Sequence, residues 1–391
     1  MISVDEALGH LFDLADPMPT EMVPLRGAAN RILAKPVAAR RTQPPFDASS
    51  MDGYAVKRTE VERDALFKVV GEAAAGHGWT GKVRPGQAVR IFTGAPVPDG
   101  ADFVIIQEDV TRRDDLITIS GDPGDKPNIR PAGIDFGEGD PISAPRRLGP
   151  GDIALLAAMN VVELPVAKRP TIALISTGDE LVMPGENPGP DQIIASNTFG
   201  LAAMLDDLGA NPRVLPIARD SAASITHALG LAKGADLIIT IGGASVGDHD
   251  LVGQVAGGLG LQQSFYKVAM RPGKPLMAGR INGTPMIGLP GNPVSAMVCG
   301  TIFVSPVIRK MLGLGTAPVP RITLPLSAPL GPNGPREHYM RAIISANGVQ
   351  DAGSQDSSLL SVLADANALI VRPPHDPARE AGQSVELIDL R

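Results

Sequence analysis

From Pro170 to about Leu312 the chain alternates short apolar runs with amphipathic stretches of helical length, and this constrains the fold more than anything else in the sequence. Thr171–Ser176 and Asp236–Ile241 are apolar runs, as expected of strands covered on both faces. Between them, Ser196 to Leu208 places Phe199, Leu201, Met204, Leu205 and Leu208 on overlapping helical turns and stops at Gly209. Val214–Ile217 reads as the next strand and Ser221–Lys233 as the next helix. A short helix near 250–257, strands at Ser264–Val268 and Pro285–Leu289, and a helix opening at Asn292 complete the series. Strands and helices at this spacing imply βαβ crossovers and an open, mostly parallel sheet.

The flanking regions read differently. Residues 3–16 form an amphipathic helix opened by an S-x-x-E capping box, Ser3 and Glu6. Residues 46–145 carry short β-type runs at Phe67–Val70, Val89–Phe92, Phe103–Gln107 and Leu116–Ser120, separated by Pro/Gly turns. Residues 320–391 return to short strands and suggest a small β-sandwich or barrel. The expected fold class is therefore multidomain α/β plus β. An elongated linker or dimerisation segment takes 1–45 and 146–169, with a β domain inserted at 46–145. An α/β domain takes 170–318 and a C-terminal β domain 319–391.

Composition excludes several functions. The net charge is −7 and aromatics make up 3%, a poor basis for binding nucleic acid by charge or stacking. No uninterrupted apolar run reaches about 18 residues, so no membrane partner is expected. One cysteine, Cys299, excludes an intramolecular disulfide and a cysteine zinc cluster, and fits a cytoplasmic location.

In an open α/β sheet, ligands bind beyond the carboxyl ends of the strands. Four loops fall there: Thr177–Glu180, Gly242–Asp250, Arg271–Pro275 and Pro290–Ser295. Asn292 suits a helix N-cap and Pro293 its first turn, so that the positive end of the helix faces the strand ends. Lys267, Arg271 and Lys274 gather positive charge beside it, and the amides of Gly242–Gly247 offer a phosphate cradle. Asp179, Glu180, Asp248 and Asp250 also sit at strand ends, with Asp52 and Asp135 in glycine-containing loops elsewhere. Carboxylates beside phosphates suit a bridging Mg²⁺. For each of these residues alone, a cap, a turn or a solvated surface is the simpler role. His249 reads as a surface residue, Cys299 as buried.

Seven segments in order resemble one family. They are Pro45–Ala55 (PFDASSMDGYA), Phe92–Pro96 (FTGAP), Asn128–Arg130 with Gly133 and Asp135, Ser176–Leu181 (STGDEL), Gly242–Gly247 (GGASVG), Arg271–Pro275 (RPGKP) and Gly288–Pro293 (GLPGNP). The chain resembles the MoeA family, the molybdopterin molybdenumtransferases, related to the E domain of gephyrin. The resemblance implies Mg²⁺-dependent conversion of adenylylated molybdopterin and molybdate to molybdenum cofactor and AMP. By motif position it implies catalytic roles for Asp52, Thr93, Asp135, Glu180 and Asp250, with Glu180 and Asp250 as metal ligands. It implies substrate binding by Asp179, Gly242, Gly243, Ser245, Arg271, Lys274, Pro290, Gly291, Asn292 and Ser295. After Asn128 this chain has Arg130-Pro131-Ala132 where members often carry more arginines.

The implied partners are adenylylated molybdopterin, molybdate and a second copy of the chain, in a homodimer whose site is shared between subunits. Adenylylation is expected to belong to another protein, met in a transient contact. Two other readings fit the same sequence: a non-catalytic scaffold, and a generic nucleotide phosphohydrolase built on the same α/β domain.

Overall fold

The computed structural model describes residues 1–243 and 251–390. The chain divides into two compact units. One comprises Met1–Glu21, Asn30–Ala34 and Val166–Arg391; the other comprises Met22–Ala29 and Lys35–Pro165.

The first unit is built on a six-stranded sheet. Its spatial order is Asn211–Val214, Thr171–Ser176, Leu237–Ile241, Thr284–Leu289, Pro275–Ile281, Gln262–Lys267. The first three pairings are parallel and the last two antiparallel. Gln262–Lys267 therefore points the same way as the parallel strands, and its far end joins theirs on one side of the sheet.

The apolar runs follow from this layering. Ile172 and Leu174 face one core while Ala173 and Ile175 face another; Ile239 and Ile241 face the first, Ile238 the second. A strand whose alternate side chains both need cover has no place for a charged residue, hence the nearly unbroken apolar run, in which buried Thr240 is the polar member of Leu237–Ile241. The first core is closed by Leu201 and Leu205 of helix Asn197–Asp207, by the helical segment Pro293–Met311, and by Val4, Ala7, Leu8 and Leu11 of the N-terminal helix. The second is closed by Ile225, Ala228 and Leu229 of helix Ala222–Leu231 and by Val252 and Ala256 of helix Leu251–Gly258.

The helix Pro293–Met311 is long and apolar enough to cross a membrane, but Val294, Ala296, Val298, Phe303 and Val304 are spent on the core. Its middle turn, Gly300–Val304, is a π-turn, and the Ser305 N–H donates to the Gly300 carbonyl. Pro306 follows directly; it has no N–H for an i→i−4 bond, so the ladder is interrupted here in any case.

Two expectations shift. The strand placed at Val214–Ile217 is Asn211–Val214. It sits at the sheet edge, where Pro212 is tolerated because its missing N–H breaks no central ladder. The strand Pro275–Ile281 is absent from the sequence reading. It pairs with Thr284–Leu289 through a tight hairpin in which Asn282 and Gly283 have φ of 50° and 83°, the Asn-Gly turn that joins antiparallel strands.

Residues beyond 320 form strands Ile322–Pro325, Glu337–Ser345, Gly348–Asp351, Ala368–Arg372 and Ser384–Asp389. A bridge between Leu326 and Val349 joins the two ends of this antiparallel path, so the sheet curls on itself as a small barrel does.

The second unit holds another six-stranded sheet, ordered Phe103–Ile106, Gly53–Val56, Gln87–Ile91, Leu66–Ala73, Leu116–Ile119, Val110–Arg113. Tyr54, Val56, Phe103 and Ile105 face one small core, and Ala55, Val89 and Val104 face the other.

The N-terminal helix Val4–Leu14 begins with the capping box expected. The Glu6 N–H donates to the Ser3 hydroxyl at 3.2 Å, and the Ser3 N–H donates to the Glu6 carboxylate at 2.7 Å. Ser3→Ala should cost about 1 kcal/mol of stability, the usual loss at such a cap. Chemical denaturation with an unchanged slope would check it.

Candidate functional site

The chain reverses its direction of growth across the first sheet between Thr171–Ser176 and Leu237–Ile241. From the former it steps outward to Asn211–Val214, then crosses back to the latter on the other side; it goes on to the far edge at Gln262–Lys267 and returns through Pro275–Ile281 to Thr284–Leu289 beside Leu237–Ile241. Loops leaving the carboxyl ends of two such strands diverge to opposite faces and leave a crevice. A cleft of 820 Å³ occupies this position. Its wall carries Ser176, Thr177, Gly178 and Glu180 from the first strand end, Gly242 and Gly243 from the second, and Pro290, Gly291, Asn292 and Pro293 from the third. Pro275 lines it too, at the start of the antiparallel strand.

Gly242 and Gly243 have φ of 90° and 64°, and a β-carbon on Gly242 would press on the Thr177 carbonyl at 2.8 Å. Glycine is therefore required for the chain to turn out of the sheet here. The Gly242 N–H donates to the Leu289 carbonyl, so this amide serves the sheet and not a ligand. Asn292 occupies the N-cap, with Pro293 behind it, but its side chain does not cap. Its amide donates to the Ser357 hydroxyl at 3.2 Å, and the Val294 N–H donates to the Ser357 carbonyl. The segment at Ser357 thus takes one of the free donors of that helix end. Ser295 is buried in its first turn.

Carboxylates gather at the other rim. Glu180 lines the cleft, and so does Asp220, which the sequence reading passed over. Asp179 meets Asp220 through reciprocal bonds: the Asp220 N–H donates to an Asp179 carboxylate oxygen at 3.1 Å, and the Asp179 N–H donates to an Asp220 oxygen at 3.4 Å. Among the described residues no group of three or more His, Cys, Asp or Glu side chains is placed to hold a metal. Two cleft carboxylates nonetheless match the oxygen donors of Mg²⁺, which keeps several waters and needs few protein ligands. Asp250 and Ser245, like Asp248 and His249, lie outside the described residues.

The cationic residues divide. Lys274 is half-buried and immediately precedes the cleft residue Pro275. Lys267 lies over the Tyr266 ring. Arg271 belongs to a cluster with Arg336, Arg341 and Arg372 around His338. Burial, then the charges of Arg271, Arg372, Arg336 and Arg341, push the pKa of His338 down to about 4. His338 is therefore neutral at physiological pH, and the positive charge of this region is guanidinium charge. Arg372 is paired with Asp376, while Arg341 is buried and donates to the Leu359 carbonyl at 3.1 Å.

Asp52 and Thr93 meet in the second unit. The Thr93 N–H and hydroxyl both donate to one Asp52 oxygen, each at 2.8 Å. These bonds, the backbone one foremost, hold the Asp52 pKa below the usual carboxylate value, with help from the charge of Arg90. Arg90 is itself packed over the Tyr54 and Phe92 rings and donates to the Gly53 carbonyl. Asp135 lies on an exposed stretch beside the bridge between Gln43 and Phe136.

Sequence reasoning missed Asn197, Asp220 and Ser358, all cleft residues. Asn197 donates to the Gly291 carbonyl at 2.7 Å and joins two loops ninety-four positions apart. Asp220 was within reach, because it opens the turn before helix Ala222–Leu231, after a parallel strand. Ser358 had no local signal: it reaches the cleft from the C-terminal β region.

Comparison with known proteins follows the same segments. The MoeA N-terminal region (domain I and II) matches residues 2–160, a probable molybdopterin binding domain matches 173–310, and the MoeA C-terminal region (domain IV) matches 323–390. A protein from Nostoc named molybdopterin molybdenumtransferase is 36% identical over 412 residues, covering 100% of this chain and 94% of the relative. One of the same name from Haemophilus influenzae is 34% identical over 401 residues, covering 99% and 98%. The crystal structure of a molybdopterin biosynthesis moea protein from Pyrococcus horikosii superposes with a TM-score of 0.83 at 28% identity, covering 100% of this chain and 99% of that one.

The Asp52–Thr93 pair yields a direct test. Thr93→Val removes the hydroxyl bond and leaves the N–H bond, so the Asp52 pKa should rise yet stay below the ordinary carboxylate value. An NMR titration of the Asp52 carboxyl in both proteins would measure this.

Proposed function

Because the chain belongs to the MoeA family of molybdopterin molybdenumtransferases, we propose that it takes adenylylated molybdopterin and molybdate to molybdenum cofactor and AMP, with Mg²⁺. The chain is a molybdenum-transferring enzyme of molybdenum cofactor biosynthesis. The observation that carries the finer reading is the cleft at the sheet's switch point. It is large enough for a nucleotide-sized ligand, walled by small polar groups on one side and by the carboxylates Glu180 and Asp220 on another.

Each group has a role in this reading. Polar side chains such as Asn292 and Ser358 orient the anionic substrate. Lys274, next to the cleft residue Pro275, and Arg271 offset its phosphate charge. Glu180, Asp220 and Asp250 would hold Mg²⁺, which when bound would supply positive charge against that of the phosphoanhydride. Molybdenum arrives as substrate and leaves on the sulfurs of the pterin, so no resident metal cluster is needed. The lone, buried Cys299 fits work in a reducing cytoplasm. A separate adenylylating protein would supply the substrate through a transient contact.

Glu180→Ala should keep the fold and pterin binding but slow AMP release by about a hundredfold or more, the usual loss of a group acting on the reacting charge. Single-turnover assay of AMP from adenylylated molybdopterin, with Mg²⁺ and molybdate varied, measures this. An unchanged rate and Mg²⁺ dependence would remove Glu180 from the metal-dependent step.

The enzyme in this reading is a homodimer in which Asp52 and Thr93 of one subunit serve Glu180 and Lys274 of the other. Support comes from the division of the chain: the two sets belong to different compact units. Mixing inactive Asp52→Ala and Lys274→Ala proteins should then restore activity, with roughly a quarter of all sites regaining both residues after random exchange. Full exchange by native mass spectrometry without activity would show that each site is built within one chain.

A further inference from the structure

We propose that Arg219 is a positioning residue that clamps the loop Gly178–Leu181 and so fixes the Glu180 carboxylate in the cleft. The inference rests on the reading of Glu180 given above and extends it to a residue outside the cleft wall.

Arg219 Nη1 donates to the carbonyls of Gly178 at 3.4 Å, Asp179 at 3.1 Å and Leu181 at 2.9 Å. The remaining carbonyl of the stretch, that of Glu180, accepts the Ile193 N–H at 2.7 Å. All four carbonyls between 178 and 181 are thus engaged, three of them by one guanidinium nitrogen. Bonds from a charged donor are the stronger kind, and a planar guanidinium holds its geometry.

Arg219 is itself anchored. Thr177 bridges Ala218, the Gly178 N–H donates to the Ala218 carbonyl at 3.0 Å, and the Arg219 N–H donates to the Ser224 hydroxyl at 2.9 Å in the first turns of helix Ala222–Leu231. The next residue, Asp220, makes the reciprocal bonds to Asp179. The clamp therefore ties the loop to a helix packed on the sheet.

Glu180 depends on this backbone directly. Its carboxylate folds back over Gly178, whose φ is 147°, and a β-carbon at 178 would overlap both carboxylate oxygens. The position of the acid is set by the path of the loop beneath it, and that path is what Arg219 holds. A shift of about 1 Å in a reacting group can cost on the order of a hundredfold in rate.

The test compares Arg219→Ala, Arg219→Lys and Gly178→Ala with wild type. Arg219→Ala should lower kcat for AMP release ten- to a hundredfold while KM for the pterin substrate stays within about twofold. Arg219→Lys should recover part of the loss, and added ethylguanidinium should raise the rate of Arg219→Ala but not of wild type. Gly178→Ala should copy the kcat loss without responding to guanidinium. Amide exchange should quicken across residues 178–195 in Arg219→Ala and stay unchanged in strand Leu237–Ile241. Wild-type kcat in Arg219→Ala, or a loss that neither Lys nor guanidinium relieves, would overturn the proposal. If wild type releases no AMP, the proposed reaction fails, and exchange alone decides the clamp: unaltered protection at 178–195 would refute it.

Discussion

Double-sided burial of the parallel strands governs the first unit. Leu237–Ile241 has every side chain buried, and its neighbour Thr171–Ser176 nearly so. Each buried Leu or Ile contributes roughly 1.5–3 kcal/mol, and no charged group can be placed among them without forfeiting that gain and adding a desolvation cost. Polar chemistry is therefore expelled to the strand ends. At those ends, consecutive crossovers leave in opposite directions, and a cleft opens without any residue having to be hollowed out of the core. Glu180, Gly242 and Asn292 are active-site candidates because each is among the first residues past an apolar run.

Charge is sorted within that unit as well. Acids collect on the loop after the first strand and on the turn before helix Ala222–Leu231. Guanidinium groups collect around His338 on the barrel-like C-terminal strands and the loop beginning at Arg271. Burial keeps His338 uncharged, so it does not add to this crowding near neutral pH.

Much of this was legible in the amino-acid order. Alternation of apolar runs and helical stretches identifies the layered sheet, because burial on both faces leaves an unbroken signature. The capping box at Ser3 and Glu6 is a local device and was readable locally. What was hidden depends on distant partners. Asn292 has the sequence of a cap, but Ser357, sixty-five residues away, takes its side chain. Gly242 has the look of a phosphate cradle, yet the Leu289 carbonyl takes its N–H. The strand Pro275–Ile281 was overlooked because a proline opens it and a basic loop precedes it, although Asn282-Gly283 marked the hairpin. Arg219 has no motif; its role comes from three carbonyls forty residues upstream.

Cys299 has a consequence of a different kind. It is the chain's one sulfhydryl, fully buried in helix Pro293–Cys299, and burial raises its pKa far above the usual thiol value. Thiol–disulfide exchange needs an accessible thiolate. An enzyme that handles a pair of reactive sulfurs on its substrate therefore offers them no protein sulfur with which to form a mixed disulfide. In the proposed reaction, the substrate's sulfurs therefore meet no accessible protein thiolate that could compete with the metal for them.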